Sequence, residues 1–470
     1  MSADRPLSVA VVGAGPAGIY ASDILSKSGL DVSIDLFEKL PAPYGLVRYG
    51  VAPDHPRIKQ IIVALYKILQ RGDIRLIGNV NIGEDVTIED LRRHYDAVVF
   101  ATGSDDDAHL PIPGIELEGS YGASKFVFWY DGHPDYPRTW PLEAKEVAVI
   151  GNGNVALDVS RILAKHVEDL MPTEIPENVA EGLKASPVTD VHVFGRRGPA
   201  QVKFSPLELR ELGKVPDVDV IVYEEDFDFD EGSEEAIRTS NQTKQVVKTL
   251  VDWTLKDPSE RTASRRIHLH FFHRPVEILG TDKVEAIRTE RTELVGDGTV
   301  RGTGEFVDTP VQAVYRAIGY MGASVKGLPF DEGRGVIPND EGRVLDDDGD
   351  VMPGIYATGW IKRGPVGLIG STKSDAQQTI GHLVEDAEAG RLHASSDAVG
   401  HDAMIEDLES RGIRYTTWQG WELLDAYERE LGEKFGELPD GRGTRERIKV
   451  VERETMTAIS RGEEHDGKLY

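Results

Sequence analysis

Residues 7–18, with the sequence LSVAVVGAGPAG, constrain what this chain can fold into more than any other stretch. An apolar, strand-like segment leads directly into the pattern GxGxxG at Gly13, Gly15 and Gly18. In such a turn the first glycine permits a sharp change of direction, the second lets a pyrophosphate approach the backbone, and the third lets strand and helix pack closely. The pattern therefore predicts a phosphate site at the start of a helix.

A second apolar strand, residues 32–37, ends at Glu38, about twenty residues after the last glycine of the loop. The dinucleotide-binding fingerprint places an acid there, where it accepts hydrogen bonds from a ribose. Strand, glycine loop, helix, strand and acid follow one another in the required order. This order predicts a dinucleotide site rather than a glycine-rich surface turn followed by a surface glutamate.

The next segment, residues 39–56 with the sequence KLPAPYGLVRYGVAPDHP, is too rich in proline and glycine to predict a helix or a strand. It is also longer than an ordinary connection, and loops of this kind usually carry function. It offers backbone amides around Gly45 and Leu46, and a histidine, His55, between two prolines. The alternative for His55 is a loop histidine held by local hydrogen bonds.

Hydrophobic periodicity predicts a helix over residues 58–70, a strand over residues 74–82 and a short helix over residues 87–93 with Thr87 as its cap. A buried strand over residues 95–103 then ends in Ala-Thr-Gly, and the same tripeptide returns in IYATG at residues 355–359. Ligands of open α/β sheets bind at the carboxyl ends of the strands. Both turns are therefore expected close to a cofactor.

Residues 146–164, EVAVIGNGNVALDVSRILA, repeat the strand, glycine loop and helix, with Gly151, Gly153 and Ala156 as GxGxxA. Two fingerprints in one chain imply two dinucleotides. The second strand of this unit, residues 191–194, is followed by Gly195 and two arginines.

An NAD site would place an acid on the ribose 2′-hydroxyl at that point, whereas Arg196 and Arg197 stand there in this chain. A pair of guanidinium groups suits a 2′-phosphate, which an acid would repel. The arginines therefore favour NADP over NAD, and the alternative is a basic turn on the surface.

Downstream, Ser205 and Pro206 predict a helix start, with serine as the cap and proline at the first helical position. Glu208 and Glu211 then fall one turn apart on the same side of that helix. Taken alone, this pattern is typical of an exposed helix with a charged face. The sequence HLHFFH at residues 268–273 has no acidic or sulfur ligand nearby, so we expect packed or hydrogen-bonded histidines and assign no metal site.

The sequence contains no cysteine. This excludes disulfides, thiolate metal sites, iron–sulfur clusters held by the chain and any dithiol mechanism. Flavoproteins with two nucleotide sites often pass electrons to a cysteine pair, and this chain has none to receive them. Electrons must therefore leave for an acceptor outside the chain.

Lys and Arg number 53 against 81 Asp and Glu, a formal net charge of −28. This balance argues against nucleic-acid binding, which requires a basic surface. We expect the acidic runs at residues 105–107, 224–235 and 346–350 to be solvated loops. No stretch approaches the roughly twenty apolar residues of a membrane span, and residues 1–10 lack a basic segment followed by an apolar one, so a cytoplasmic location is expected.

Five stretches, spread from residue 7 to about residue 380, together resemble one known family. They are VAVVGAGPAGIYAS, LPAPYGLVRYGVAPDHP, GNGNVALDVSRIL, FGRRGPAQVKF and ATGWIKRGPVGLIGSTK. The chain resembles the adrenodoxin reductase family, which comprises the mitochondrial enzyme and actinobacterial ferredoxin–NADP reductases. The resemblance implies an α/β fold with two Rossmann-like dinucleotide-binding domains. The FAD-binding domain, residues 1–105 and 330–470, would be split in sequence, with the NADP-binding domain, residues 106–329, inserted.

The resemblance adds contacts to those that the glycine loops and Ala-Thr-Gly turns predict. The residues assigned to FAD are Gly13, Gly15, Pro16, Ala17, Gly18, Glu38, Lys39, Gly45, Leu46, Ile82, Ala101, Thr102, Gly103, Gly359, Trp360, Gly367, Leu368 and Ile369. Those assigned to NADP(H) are Asn152, Gly153, Asn154, Val155, Arg196, Arg197, Glu208 and Gly367. His55 and Glu211 match the pair that lines the nicotinamide pocket of the family, so they are the catalytic candidates, as positioning groups rather than obligatory acids or bases.

The implied activity is that of a ferredoxin–NADP(+) reductase, expected as a monomer, in which hydride passes from NADPH to FAD and single electrons pass to a ferredoxin-type iron–sulfur protein. Because the net charge repels an acidic ferredoxin, attraction has to come from local basic residues such as Arg210, Arg265 or Arg266. Two alternatives remain. One is an NADPH-dependent flavin oxidoreductase acting directly on a small-molecule acceptor, and the other is a non-autonomous electron-transfer subunit, which the absence of cysteine clusters disfavours.

Overall fold

The structure is a computed structural model that describes residues 5–367, 369–392, 400–438, 441 and 443–470. The strands, in chain order, are β1 (Leu7–Val12), β2 (Val32–Phe37), β3 (Ile74–Ile77), β4 (Ala97–Phe100), β5 (Asp106–Asp107), β6 (Ser120–Gly122), β7 (Glu146–Ile150), β8 (Asp190–Phe194), β9 (Val218–Val222), β10 (Arg265–His270), β11 (His273–Leu279), β12 (Ala286–Leu294), β13 (Val300–Pro310), β14 (Ala313–Arg316), β15 (Tyr320–Met321), β16 (Asn339–Asp340), β17 (Arg343–Leu345) and β18 (Val351–Ala357). The helices are α1 (Pro16–Ser26), α2 (Leu46–Tyr49), α3 (Pro56–Lys59), α4 (Ile61–Leu69), α5 (Ile88–His94), α6 (Ala123–Tyr130), α7 (Asn154–Ala164), α8 (Glu177–Ala185), α9 (Pro206–Leu212), α10 (Glu231–Thr239), α11 (Asn241–Thr254), α12 (Trp360–Arg363), α13 (Ile369–Glu388), α14 (Gly400–Ser410), α15 (Trp418–Phe435) and α16 (Arg453–Arg461).

Two large sheets organise these elements. The seven-stranded sheet has the order β16-β17-β18-β4-β1-β2-β3, with the five strands from β18 to β3 parallel. The six-stranded sheet has the order β6-β14-β7-β8-β10-β9 and is parallel throughout. We call the first sheet with its helices the first unit and the second sheet with its helices the second unit. The predicted α/β class with parallel, Rossmann-like sheets is confirmed.

The chain leaves the first unit after β4 and returns to it before β16. On the way out it forms β5 and on the way back β15, and these two short strands pair antiparallel with each other. The three remaining strands, β11, β12 and β13, form a separate antiparallel sheet. The two segments that connect the units are therefore hydrogen-bonded to each other through β5 and β15.

Steric contacts explain why glycines occupy the first glycine loop, residues 13–18. Gly13 has φ +106°, and a Cβ there would lie 2.5 Å from the carbonyl oxygen of Ala101. A Cβ on Gly18 would lie 1.9 Å from the carbonyl oxygen of Gly13. At Gly15 the nearest atom to such a Cβ is 3.9 Å away. The first and third glycines thus serve the strand-to-helix packing, whereas the second leaves the backbone open to a ligand.

The C-terminal part of the chain packs on the first unit. Trp418 and Trp421 of α15 belong to the same buried cluster as Val9 and Val11 of β1. The ring of Trp421 meets that of Tyr44 edge to face, with centroids 5.6 Å apart. Within the described residues, every helix is too short or too polar to cross a bilayer.

Local predictions were wrong where tertiary contacts interrupt the pattern. The strand expected over residues 74–82 ends at Ile77, because Gly78 pairs instead with Thr416 of the C-terminal part. The helix expected over residues 58–70, by contrast, is present as α3 and α4, which meet at Gln60 with its backbone in the helical region (φ −58°, ψ −17°). The proline- and glycine-rich loop, residues 39–56, contains the one-turn helix α2 and the start of α3.

The acidic runs are also more structured than expected. Asp226 is buried, accepts a hydrogen bond from the amide of Phe271 and pairs with Arg291 at 2.7 Å. Asp107 lies in β5 and accepts hydrogen bonds from the amide and hydroxyl of Ser124. These carboxylates hold chain segments in place, so the interpretation of their runs as solvated loops was wrong at these positions.

The glycine geometry predicts different effects for two substitutions in the first loop. Gly18→Ala is expected to lower the free energy of unfolding by about 1–3 kcal/mol, because the methyl group collides with backbone that cannot move aside. Gly15→Ala is expected to leave the free energy of unfolding of the cofactor-free protein close to that of the parent chain. Urea unfolding of both variants measures this, and equal destabilisation of the two would contradict the steric argument.

Candidate active site

A cavity of about 710 Å³ lies at the carboxyl ends of β1, β2, β4 and β18. Its size suits a bound cofactor. Most residues assigned to FAD line it: Gly13, Gly15, Pro16, Ala17, Glu38, Lys39, Gly45, Leu46, Ile82, Ala101, Thr102, Gly103, Gly359 and Trp360. Gly18 lies behind the loop, Gly367 is outside the lining, and Leu368 and the side chain of Ile369 lie outside the described residues.

The cavity also has lining residues that the sequence reasoning did not single out. They include Tyr49, Val51, Asn81, Ser104, His133, Tyr320, Lys326 and Thr372. Asp105, which belongs to an acidic run that we expected to be a solvated loop, also lines the cavity. Asn81, Ser104 and Asp105 lie close to the predicted residues Ile82 and Gly103 in the sequence, and this position was the signal that could have identified them. His133, Tyr320 and Lys326 come from distant segments, so only the tertiary structure brings them to the cavity.

Glu38 organises the floor of the cavity. Its Oε2 accepts a hydrogen bond from the amide of Ala14 at 2.9 Å, and its Oε1 accepts one from the amide of Leu40 at 3.2 Å. Burial raises the pKa of Glu38 above its ordinary value, although the hydrogen bond from the Ala14 amide acts to lower it. The carboxylate is thus fixed beside the first glycine loop, where its remaining lone pairs suit ribose hydroxyls.

Two loops approach each other closely above that floor. Gly45 has φ +50°, and a Cβ there would lie 3.1 Å from the Cα of Gly15. The open space at Gly15 and the exposed backbone around Gly45 form a cradle that a pyrophosphate can enter. Together with the ribose site at Glu38, this donor and acceptor set fits an adenine dinucleotide such as FAD.

The second Ala-Thr-Gly turn closes the cavity on another side. Gly359 has φ +76°, and a Cβ there would lie 2.7 Å from the Cβ of Ala17. Asp375 of α13 holds this turn, since its Oδ2 accepts hydrogen bonds from the Gly359 amide at 2.5 Å and the Thr358 hydroxyl at 3.1 Å. Trp360 follows directly and packs against Tyr320, with ring centroids 6.1 Å apart.

The second glycine loop, residues 151–156, repeats the steric pattern of the first. Gly151 has φ +144°, and a Cβ there would lie 2.2 Å from the carbonyl oxygen of Ala317, whereas Gly153 has open space around it. Asn154 accepts a hydrogen bond from the amide of Ser205 at 2.9 Å and so links this loop to α9. Of the residues assigned to NADP(H), Val155 lines the 710 Å³ cavity, while Asn152, Gly153, Asn154, Arg196, Arg197 and Glu208 lie outside its lining.

Arg196 and Arg197 follow β8 on a fixed backbone. The carbonyl oxygen of Arg196 accepts a hydrogen bond from the Thr292 hydroxyl at 2.8 Å, and that of Arg197 accepts one from the Phe272 amide at 3.2 Å. The Arg196 side chain is exposed. Neither guanidinium forms a salt bridge with a carboxylate of the described residues, so both remain available to an anion.

His55 lies at the contact between the two units. Its Nε2 is 2.8 Å from Oδ1 of Asp158 and 2.9 Å from Oε2 of Glu208, and its Nδ1 is 3.1 Å from Oε2 of Glu211. Ser205 caps α9 by accepting a hydrogen bond from the Glu208 amide, as the sequence predicted. The structure thus brings the two catalytic candidates, His55 and Glu211, into direct contact.

The carboxylates keep this histidine charged. Burial and the Arg161 guanidinium, whose Nη2 lies 2.7 Å from Nε2 of His55, lower the pKa of His55. Hydrogen bonds to Asp158 and Glu208 outweigh both and raise the pKa to about 10 from the ordinary 6.5. Asp158 is a member of this cluster that the sequence reasoning missed. Its only sequence signal is its place in the helix that follows the second glycine loop.

Three other histidines form a second cluster. Nitrogen atoms of His192, His268 and His270 lie within 4.8 Å of one another. His192 Nδ1 and His270 Nε2 are hydrogen-bonded at 3.0 Å, and His268 contacts Asp190 through Nε2 and Tyr223 through Nδ1. His268 and His270 are thus packed and hydrogen-bonded, as expected for HLHFFH, while His192 lies outside that motif. The three nitrogen atoms are close enough together to hold a metal ion.

Comparison with known proteins links this geometry to a family. The pattern of the family described as Pyridine nucleotide-disulphide oxidoreductase matches residues 7–193. The mitochondrial NADPH:adrenodoxin oxidoreductase of Arabidopsis thaliana is 38% identical over 447 residues, 92% of each chain. NADPH-ferredoxin reductase FprA of Mycobacterium tuberculosis is 40% identical over 445 residues, covering 92% of this chain and 96% of the relative. The solved structure of Mycobacterium tuberculosis FprA in complex with NADPH superposes with a TM-score of 0.88 at 39% identity, over 97% of this chain and 100% of that one.

The charged state of His55 predicts a pH-dependent contribution to stability. Because the folded pKa is raised, the contribution is fully present below pH 6.5 and is lost as the pH rises through about 10. The difference in unfolding free energy between the parent chain and His55→Gln should therefore shrink from about pH 6 to about pH 10. His109→Gln, at an exposed position, controls for loss of a histidine. A difference for His55→Gln that stays constant over this range would contradict the assignment.

Proposed function

Because the chain belongs to the family of NADPH:adrenodoxin oxidoreductases and NADPH-ferredoxin reductases, we propose that it is a ferredoxin–NADP(+) reductase. Its cofactors are FAD and NADP(H), and its partner is a ferredoxin-type iron–sulfur protein. When bound, FAD would accept hydride from NADPH and pass the two electrons one at a time to the iron–sulfur protein. The residues described above bind, orient and enclose the two nucleotides.

The meeting of the two glycine loops at one cavity supports this proposal. Val155 of the second loop lines the same cavity as Gly13 and Ala17 of the first. An NADP(H) molecule on the second loop therefore has its reactive end directed toward the FAD site. His55 and Glu211, 3.1 Å apart, lie outside the cavity lining but at the contact between the two units, where they are placed to orient a nicotinamide.

The domain assignment is part of the proposal. We assign residues 1–105 and 330–470 to the FAD-binding domain and residues 106–329 to the NADP-binding domain. The division of the strands between the two large sheets supports this assignment, since β1 to β4 and β16 to β18 share one sheet, and β6 to β10 with β14 form the other. A cytoplasmic location and a monomeric state stay predictions from the sequence.

The acceptor must lie outside the chain because the sequence contains no cysteine to receive electrons. Of the three basic residues expected to attract it, Arg265 donates to the carbonyl oxygens of Ala164 and Lys165. Arg266 forms a two-fold pair with Asp190 at 2.6 Å. Arg210 remains exposed on α9, next to Glu211, and donates a 3.5 Å hydrogen bond to Gln245. We therefore place the ferredoxin contact at Arg210.

Anaerobic stopped-flow absorbance tests the reaction. The purified yellow protein is mixed with NADPH or NADH, then with an oxidised acidic ferredoxin and cytochrome c as reporter. NADPH should bleach the flavin much faster than NADH, and ferredoxin should accelerate cytochrome reduction. Flavin reduction without any stimulation by ferredoxin would contradict the partner and favour a flavin oxidoreductase that acts on a small-molecule acceptor.

The two arginines predict the choice of nucleotide. Replacing either Arg196 or Arg197 by alanine should lower kcat/KM for NADPH by roughly 10- to 100-fold, since one hydrogen bond between charged groups is worth about 1.5–3 kcal/mol. The value for NADH should barely change, because NADH lacks the 2′-phosphate. Arg301→Ala, at an exposed arginine of β13, is the matched control. Equal losses with both nucleotides would contradict the role of the pair.

The exposed position of Arg210 predicts a local electrostatic effect. Arg210→Glu should lower ferredoxin-dependent cytochrome c reduction by roughly tenfold at low salt and by less at about 0.5 M salt, because salt screens the attraction. Ferricyanide reduction by NADPH, which needs no docking, should be unchanged. Arg301→Glu alters the net charge by the same amount, and an equal loss in that variant would show that net charge rather than Arg210 matters.

A further inference from the structure

Loop 52–55 of the first unit reaches across to α7 of the second unit. The carboxylate of Asp54 accepts hydrogen bonds from Nε of Arg161 at 2.8 Å and from Nη2 of Arg161 at 2.9 Å. It also accepts one from Nζ of Lys165 at 2.9 Å. The side chains of Asp54 and Arg161 are only 7% and 2% exposed. The contact is therefore a buried, two-fold ion pair between separate units.

This ion pair is also connected to His55 through the carboxylate of Asp158. Nη2 of Arg161 also donates to Oδ1 of Asp158 at 2.8 Å, one turn earlier on α7. The same oxygen is 2.8 Å from Nε2 of His55. His55 is thus adjacent to Asp54 in the sequence and is linked through Asp158 to Arg161, whose Nη2 also lies 2.7 Å from Nε2 of His55.

Helix α7 connects this contact to the cofactor cavity. It begins at Asn154, and Val155 in its first turn lines the cavity. Arg161 follows six residues later, about 9 Å along the helix axis. Because a helix is rigid over that distance, fixing Arg161 against Asp54 also fixes Val155 and the second glycine loop relative to the first unit.

We propose that Asp54 is a positioning residue for hydride transfer between the two nucleotides. Its ion pair with Arg161 fastens the loop that carries His55 to the helix that carries the second glycine loop. This sets the distance and angle between the nicotinamide and the flavin. The inference rests on the proposed function, in which hydride transfer oxidises NADPH to NADP⁺ and reduces FAD by two electrons.

A role in positioning explains why a charged pair lies here. A buried ion pair contributes little net stability compared with apolar packing, but it tolerates few relative placements of its partners. Hydride transfer is sensitive to such placement, since a shift of about 1 Å can slow a reaction roughly 100-fold. The pair joins residues 107 positions apart in sequence, so it acts between units rather than within one core.

The test compares two aspartates of equal burial. Asp54→Asn removes the charge at the contact, and Asp386→Asn removes a carboxylate that is also 7% exposed and also bound to two cationic side chains, Arg343 and Arg391, within the first unit. Flavin reduction by NADPH is followed in holoenzyme by anaerobic stopped flow, with NADPH and with NADPH deuterated at the transferred position. Hydrogen–deuterium exchange of the peptide covering residues 52–55 is measured alongside.

Asp54→Asn is expected to slow flavin reduction by at least tenfold, to change the isotope effect and to speed exchange in residues 52–55. Asp386→Asn should match the parent rate and isotope effect, even if it lowers the melting temperature. The proposal is overturned if Asp54→Asn reduces its flavin at the parent rate, or if both variants slow to the same degree.

Arg161→Lys provides a second variant, because it keeps the charge but loses the two-fold hydrogen bonding. It should reproduce the slower flavin reduction, and combining it with Asp54→Asn should add little further loss if Asp54 acts through Arg161. Fully additive losses would overturn that link. Where Asp54→Asn binds too little FAD to measure, Arg161→Lys decides alone, and flavin reduction at the parent rate in that variant would overturn the proposal. Failure of the parent protein to oxidise NADPH at all would instead count against the proposed function.

Discussion

A charge buried without a partner is costly, so the ion pairs between the two units restrict how the units can pack. At one end of the contact, Asp54 binds Arg161. At the other end, Glu174 lies between Lys59 and Lys449, with distances of 2.7 Å and 2.8 Å. Sliding one unit over the other would separate these partners in a water-poor interior. The shape of the cavity between the glycine loops depends on this restriction.

The C-terminal part of the chain stabilises the first unit beside this contact. Glu428 of α15 receives both Arg48, at 2.5 Å, and Arg447, at 3.3 Å, and Lys449 donates to the carbonyl oxygen of Arg48 at 2.8 Å. Burial lowers the pKa of Lys449 to about 8 and raises the pKa of Asp131, 4.0 Å away, to about 7. The charged and neutral forms of these two groups are therefore close in free energy near neutral pH.

Much of the fold and of the nucleotide sites was predictable from the sequence because local sterics dictate them. Gly13 and Gly18 stand where any side chain would strike backbone, and Gly15 and Gly153 stand where a ligand needs room. Strand β2 has the predicted bounds and ends beside Glu38, whose carboxylate lines the cavity. Such features involve residues close in sequence, so the spacing of residue types reveals them.

The partners of those residues were not predictable in the same way. Asp54 and Asp158 are ordinary acids in a chain with 81 of them, and no periodicity marks the two that meet His55 and Arg161. Arg48 and Glu428 are 380 residues apart, and only the folded chain brings them together. Local patterns thus predict where each nucleotide binds, whereas long-range charge pairs determine how the two glycine loops face each other. Hydride transfer depends on the second property, so the residues that control its geometry are those that sequence patterns reveal least.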